Sequence, residues 1–376
     1  MSRSERPHPT PGADPFFDRF RSAVSRLPAG LIRVAPPATH EAIAAVEQAL
    51  GRPLPGAYAL FLRSFDGADL FHESILIAGV SDGVTVPLLS IQDEQSNAGE
   101  LMFAEGMGGD RFAFDRNERV IRHDPGADER IIAGSDFTHW LDATIAREQL
   151  LFDRDGEYAP EVFDPSGEEV LPTIALRQAE RALRADPGSA DAAHARGLAL
   201  VRLGRRDAAM QSFLQAITLD PTSPWPFFDL GRAALAAARP RQALDAFEDA
   251  AACESPSGGG RILAWAVRAA VAAGDNQRAE TLRARAQEAD PTLVEGLRRA
   301  LDAAERTGDD EARAEAAALI DAVQPSPSPA PPPRRRLPVI TTSSEPAAPP
   351  PRREPPRRPR PAAPRRSGGS PRGSRR

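Results

Sequence analysis

The sequence predicts an α+β domain (helices packed on a small, mostly antiparallel sheet), then an all-α solenoid of helical repeats, then a disordered C-terminal tail. Three observations carry this. Apolar spacing runs at helical period up to Gly67 and then drops to about two; self-similarity at a period of 34 starts at Ala190; and many of the 38 prolines crowd after Gln324. At 376 residues the chain is also too long for one ordinary core. The expected divisions are a leader at 1–13, the α+β domain at 14–150, a linker at 151–170, repeats at 171–323 and the tail at 324–376.

Phe16, Phe17, Phe20, Val24 and Leu27 recur at helical spacing. Thr39 can accept from the free amides of a second helix carrying Ile43, Val46 and Leu50, and Gly51 stops it. Pro55 fits a first helical turn, and Tyr58, Phe61, Leu62 and Phe65 supply the next apolar stripe, ended by Asp66-Gly67. Beyond Gly67, residues 74–80, 84–91, 101–104, 111–115 and 119–123 read as short strands. Asp82-Gly83, Gly108-Gly109 and Pro125-Gly126 mark turns between them. Helix returns at 136–147, with Phe137, Trp140, Leu141 and Ile145 inward.

The run from Glu47 to Gly67, with Leu54-Pro55, Tyr58, Phe61-Leu62 and Phe65-Asp66-Gly67, resembles the signature of the SUKH superfamily (Smi/Knr-like). Asp66 stands where that signature usually has Asn, a mild departure because both residues suit turns. Gly108-Gly109-Asp110, Phe112 to Asp115, Val120 and Phe137 to Leu141 follow in the family's order. The resemblance covers roughly the first 150 residues and implies protein binding. Bacterial relatives commonly act as immunity proteins against toxin domains. It brings no shared catalytic residues.

In the repeats, Gly197 and Gly231 hold the small position of the first helix. Ala209, Phe213 and Ala216, then Ala243, Phe247 and Ala250, fill the second helix, and Pro221 breaks the chain. A third unit has Ala279, Ala286 and Pro291, shifted by two residues through the Gly258 to Gly260 insertion. Ala175, Ala182 and Pro187 match only the second half of a unit, so a lone helix leads in. Residues 293–323 read as a degenerate terminal pair. The pattern resembles tetratricopeptide repeats, about three of them. Placing the sequence on that pattern puts His194, Leu198, Arg202, Phe228, Arg232 and Arg268 on the concave face. Three arginines and an aromatic suit an acidic or carboxylate-terminated peptide. An arginine-rich composition on a solvated face would look the same.

Composition removes other chemistries. All 47 basic residues are arginine, so neither a P-loop lysine nor a Schiff base is available. The one cysteine, Cys253, permits no internal disulfide and no multi-cysteine zinc site. The six histidines fall in no metal-ligand spacing. Asp153, Asp155 and Gly156 look like the start of a calcium loop, but glycine comes early and position 12 falls on Asp164. Strand rather than helix follows the GMGGD glycines, which removes the dipole a phosphate cradle needs. No cofactor and no catalytic cluster is expected. Neither a secretory segment nor a membrane-length apolar run is visible, so a cytoplasmic protein is expected.

The tail holds 13 arginines against two glutamates, Glu345 and Glu354, while the whole chain carries −6. An acidic body therefore bears a basic extension, one that cannot bury enough apolar surface to offset ordering. The expectation is a non-enzymatic adaptor that binds a toxin domain or an acidic peptide. The alternative is a scaffold held by the tail on nucleic acid or an anionic envelope surface.

Overall fold

In the computed structural model, the described residues are 15–81, 86–92, 99–124, 126, 129–167, 169–253 and 259–324. The expected leader, the Asp82-Gly83 turn and the tail beyond Gln324 lie outside them.

Helix α1 (Pro15–Val24) precedes the short strand β1 (Ile32–Val34). In α2 (His40–Leu50) the Thr39 hydroxyl accepts from the Ala42 amide at 3.1 Å, and Gly51 at φ 66° ends the helix left-handed, as its sequence predicts. Helix α3 (Gly56–Ser64) follows Pro55. The chain then runs β2 (Ala68–Leu70), β3 (Ile75–Ile77), β4 (Leu101–Gly106), β5 (Arg111–Phe114), β6 (Val120–Asp124) and β7 (Glu129–Gly134) before α4 (Phe137–Glu148). All seven strands form one antiparallel meander in chain order.

Phe103 and Phe114 stack with centroids 4.2 Å apart under Tyr58, Phe137 and Trp140. The buried Tyr58 hydroxyl donates to the Ala78 carbonyl at 2.6 Å. The Asp66-Gly67 turn is also explained. Both Asp66 oxygens accept backbone amides, from Val80 at 2.6 Å and Ser81 at 2.9 Å. A side chain on Gly67 (φ 91°) would meet the Ile77 carbonyl at 2.8 Å.

One strand expectation needs correction, and three strands, β1, β2 and β7, were not expected. Residues 88–91 form a 3-10 turn rather than strand, because Pro87 opens the segment without an amide to pair. Strands β1 and β2 have three residues each, too few to show alternation. Strand β7 shows none either, since Glu129, Ile131, Ile132, Ala133 and Gly134 are all buried and only Arg130 is partly open. A strand covered on both faces loses its period-2 signature.

Helices α5 (Pro172–Ala185), α6 (Ala190–Arg202), α7 (Arg206–Leu219), α8 (Pro224–Ala236), α9 (Pro240–Ala252), α10 (Gly259–Ala273), α11 (Asn276–Ala289), α12 (Leu293–Thr307) and α13 (Asp310–Val323) follow. Three repeats, α6–α7, α8–α9 and α10–α11, stack in order. The spacing rule has a steric cause. A Cβ on Gly197 would lie 2.3 Å from the Phe213 ring, and one on Gly231 would lie 2.7 Å from the Phe247 ring. Each glycine admits a buried phenylalanine from the paired helix. The lead-in helix α5 does not stand alone: it packs between α4 and α6, through Ala143, Ala182 and Ala192. The last helix of the α+β layer thus supplies the partner that α5 lacks in sequence, and the sheet and repeats form one compact unit.

Candidate peptide-binding face

The repeat face is bounded at its start by the sheet. Strand β7 is the sheet's last strand, so its outward amides need partners. The Ile132 amide donates to Asp220 Oδ2 at 2.9 Å, and the Ser135 amide to Asp186 Oδ2 at 2.7 Å. Both carboxylates belong to the Asp-Pro step that ends a helix, at equivalent positions 34 residues apart. Their other oxygens hold the local turn, Thr222 N for Asp220 and Gly188 N for Asp186. Alternation alone would not aim amides three residues apart the same way, but the β6–β7 register skips Ala133 there. Such a bulge changes the parity. The ends of α5 and α7 therefore cap one amide of β7 and the amide just past its end.

Around these contacts lies a buried charge cluster. Arg122 on β6 donates to Asp191 Oδ1 at 2.9 Å, Glu129 Oε2 at 2.8 Å and Asp110 Oδ1 at 3.1 Å. Burial opposes its charge, yet Asp191, Glu129 and Asp110 outweigh burial and hold the guanidinium above its ordinary pKa. His194 on α6 sits 2.8 Å from Asp229 Oδ2 through Nε2 and 3.6 Å from Glu129 Oε1 through Nδ1. Burial lowers its pKa, but the Asp229 hydrogen bond and the charges of Asp229, Glu129 and Asp191 raise it overall. Glu129 is raised by burial despite Arg122 and His194, and its Oε1 has no hydrogen-bond partner. Asp191 is lowered, because Arg122, Arg147 and His194 overcome burial.

The signs give a pH prediction. A histidine whose folded pKa is raised contributes stability that is complete below the unfolded value of about 6.5 and is lost as pH rises through the folded value. The raised Glu129 acts in the same direction, starting from the carboxylate range, and the lowered Asp191 acts oppositely, only in acid. Stability should therefore fall as pH rises from about 6.5, and His194→Asn should flatten that fall. Melting curves of both proteins between neutral and mildly alkaline pH test this. Comparing the two removes the contribution of His139, which the Asp136 hydrogen bond also raises. Parallel curves would contradict it.

The six residues expected on the concave face divide accordingly. His194 is buried in the junction, and Arg202 is spent on the segment before the repeats, bonding Glu169 at 2.7 Å and the Val170 carbonyl at 3.2 Å. Leu198 is exposed. Phe228 joins an aromatic group with Trp225, Phe247 and Trp265 at centroid distances of 5.6–6.0 Å. Arg232 and Arg268 flank the Trp265 ring at 5.5 and 4.8 Å from its centroid. The structure thus gathers Phe228, Arg232 and Arg268 on α8 and α10 and leaves His194 and Arg202 tied up elsewhere.

Sequence reasoning missed Trp265, Arg261 and Glu315. Arg232 Nη2 lies 3.4 Å from Glu315 Oε2, and Arg261 Nη2 donates to Glu315 Oε1 at 2.8 Å. Arg268 has no carboxylate partner among the described residues. The indole N–H groups of Trp225 and Trp265 are buried without an acceptor. The face therefore offers cations and donors around an aromatic floor, with one carboxylate already seated. An unspent donor of this kind is a cost until an acceptor arrives.

Other sequence features are structural. Asp153 Oδ1 accepts the amides of Asp155 at 2.8 Å and Glu157 at 3.1 Å, closing an ordinary turn. Cys253 sits one residue past α9, its thiol pKa pushed up by burial and then by Asp249. Among the described residues no helix is long and apolar enough to cross a membrane.

An antiparallel α+β layer packed against a helical-repeat stack supports a protein-interaction role. Residues 37–143 match the SMI1 / KNR4 family (SUKH-1) model, and residues 190–223 match a tetratricopeptide repeat. The chain therefore carries a SUKH-like match followed by a repeat match. Among solved structures, the repeats are similar to MamA at 20% identity (TM-score 0.31, covering 40% of this chain and 86% of that one). A MamA fragment from Desulfovibrio magneticus is 21% identical (0.29, 40% and 85%). YrrB, described as a TPR protein with an unusual peptide-binding site, is 19% identical (0.30, 41% and 78%). These are likenesses of fold alone. No curated protein matches the chain.

Proposed function

We propose that the protein is a non-enzymatic adaptor whose α8–α10 face takes an acidic peptide. The observation that carries this is the donor set beside Trp265: the Arg268 guanidinium and the buried Trp265 N–H, which have no carboxylate partner and no acceptor among the described residues. Every polar group of that set donates, so it suits an acceptor-rich ligand. Guanidinium and carboxylate provide the charge-assisted pair, and the aromatic floor takes an apolar neighbour. The SUKH-type module would engage a second, folded protein, a toxin domain being the class that its family resemblance implies. Its β7 edge is not offered for that purpose, since Asp186 and Asp220 already cap it.

The test is fluorescence anisotropy with a labelled acidic peptide and its Gln/Asn counterpart. The acidic peptide should bind more tightly, and Arg268→Ala should weaken it by about 10-fold or more, the size of a lost charged hydrogen bond. Equal binding of the two peptides, or of the two proteins, would sink the reading.

A further inference from the structure

We infer that α13 is an internal occupant of this face, and that an acidic peptide reaches it by displacing α13; the inference rests on the peptide-binding reading above. Regular stacking sets the second helix of one repeat on the first helix of the next, α7 on α8 and α9 on α10. The pattern breaks at the end. There α13, the second helix of its hairpin, packs on α10, and α12 makes only slight contact with α11. From that position Glu315 bridges Arg232 on α8 and Arg261 on α10, first helices of two different repeats. Leu319, Ala316 and Ala322 are buried, and Arg283 Nε donates to the Ala322 carbonyl at 2.7 Å.

The chemistry of α13 is that of the ligand the face would accept. It opens with Asp310 and Glu311, places Glu315 a turn later, and carries an apolar stripe through Ile320 and Val323. A helix of this length is marginal alone in water, so its order depends on docking. It also satisfies the face only in part. Among the described residues Arg268 keeps no carboxylate partner, and the Trp265 N–H keeps no acceptor. A peptide that meets these groups as well gains contacts α13 does not make, and that difference is what shifts the equilibrium toward release. Until then the apparent affinity is lowered by the fraction of molecules that are closed.

The test uses the full chain and, as probe, a labelled synthetic peptide of residues 309–324. Wild type should bind it weakly. Glu315→Arg, which loses two ion pairs and adds repulsion, should bind it roughly fivefold to tenfold tighter. Adding Arg232→Ala and Arg268→Ala to that variant should abolish the gain. Glu315→Gln guards against misfolding and should shift binding the same way by a smaller factor. Hydrogen exchange of α13 in wild type should speed up as peptide saturates. Equal affinity for wild type and Glu315→Arg, with α13 exchange unchanged at saturation, would overturn the occupant role while leaving the peptide site standing. Binding to neither protein would overturn both.

Discussion

Replacing Arg122 with methionine should cost about 3 kcal/mol of stability, the lower end of the range for breaking a buried ion pair. Arg122 is the cation between Glu129 and Asp191, and both acids are themselves buried. Removing it leaves two carboxylates facing each other, with only Arg147 at 3.8 Å and His194 at 3.6 Å to answer them. Denaturant unfolding gives the loss directly. The cost should shrink when Glu129→Gln is added, because the penalty comes from uncompensated charge rather than from lost packing. A midpoint unchanged by Arg122→Met would mean that the cluster is solvated and the junction loose.

The second large effect is expected at the sheet edge. Asp220→Ala strands the buried Ile132 amide of β7, at about 1–3 kcal/mol. Asp186→Ala frees the more exposed Ser135 amide just past β7, at a smaller cost. Their carboxylates are almost wholly buried, so water does not replace them cheaply. Beyond the summed cost, the double variant should uncouple the sheet from the repeats. Calorimetry should then show two transitions where wild type shows one. A single cooperative transition in the double variant would place the coupling elsewhere, in the Ile121, Ile131, Ile132 and Ala190 cluster.

Much of this was legible in sequence because its causes are local. Gly197 and Gly231 announce the repeat since each lies under a phenylalanine from its own hairpin. Thr39 and Gly51 announce the ends of α2 for similar reasons. What was not legible depends on distant parts. Strand β7 hides its period because the repeats bury one of its faces. His194 occupies a groove position by repeat spacing, yet it is buried between Asp229 of α8 and Glu129 of β7. The terminal helix announced itself as a helix, but periodicity cannot say which neighbour it packs on. One sequence signal bears on that point. Shifted by two residues, the Gly231 and Phe247 positions become Val267 and Arg283 in the third repeat. The glycine–phenylalanine lock is gone there, and Arg283 instead holds the end of α13.

Peptide recognition is expected on α8 and α10. A photo-crosslinking acidic peptide bound to the full chain tests it most directly. Crosslinks should fall within residues 224–236 and 259–273 and be lost when Arg232 and Arg268 are replaced by alanine. Crosslinks confined to residues 37–143, and indifferent to those arginines, would contradict it.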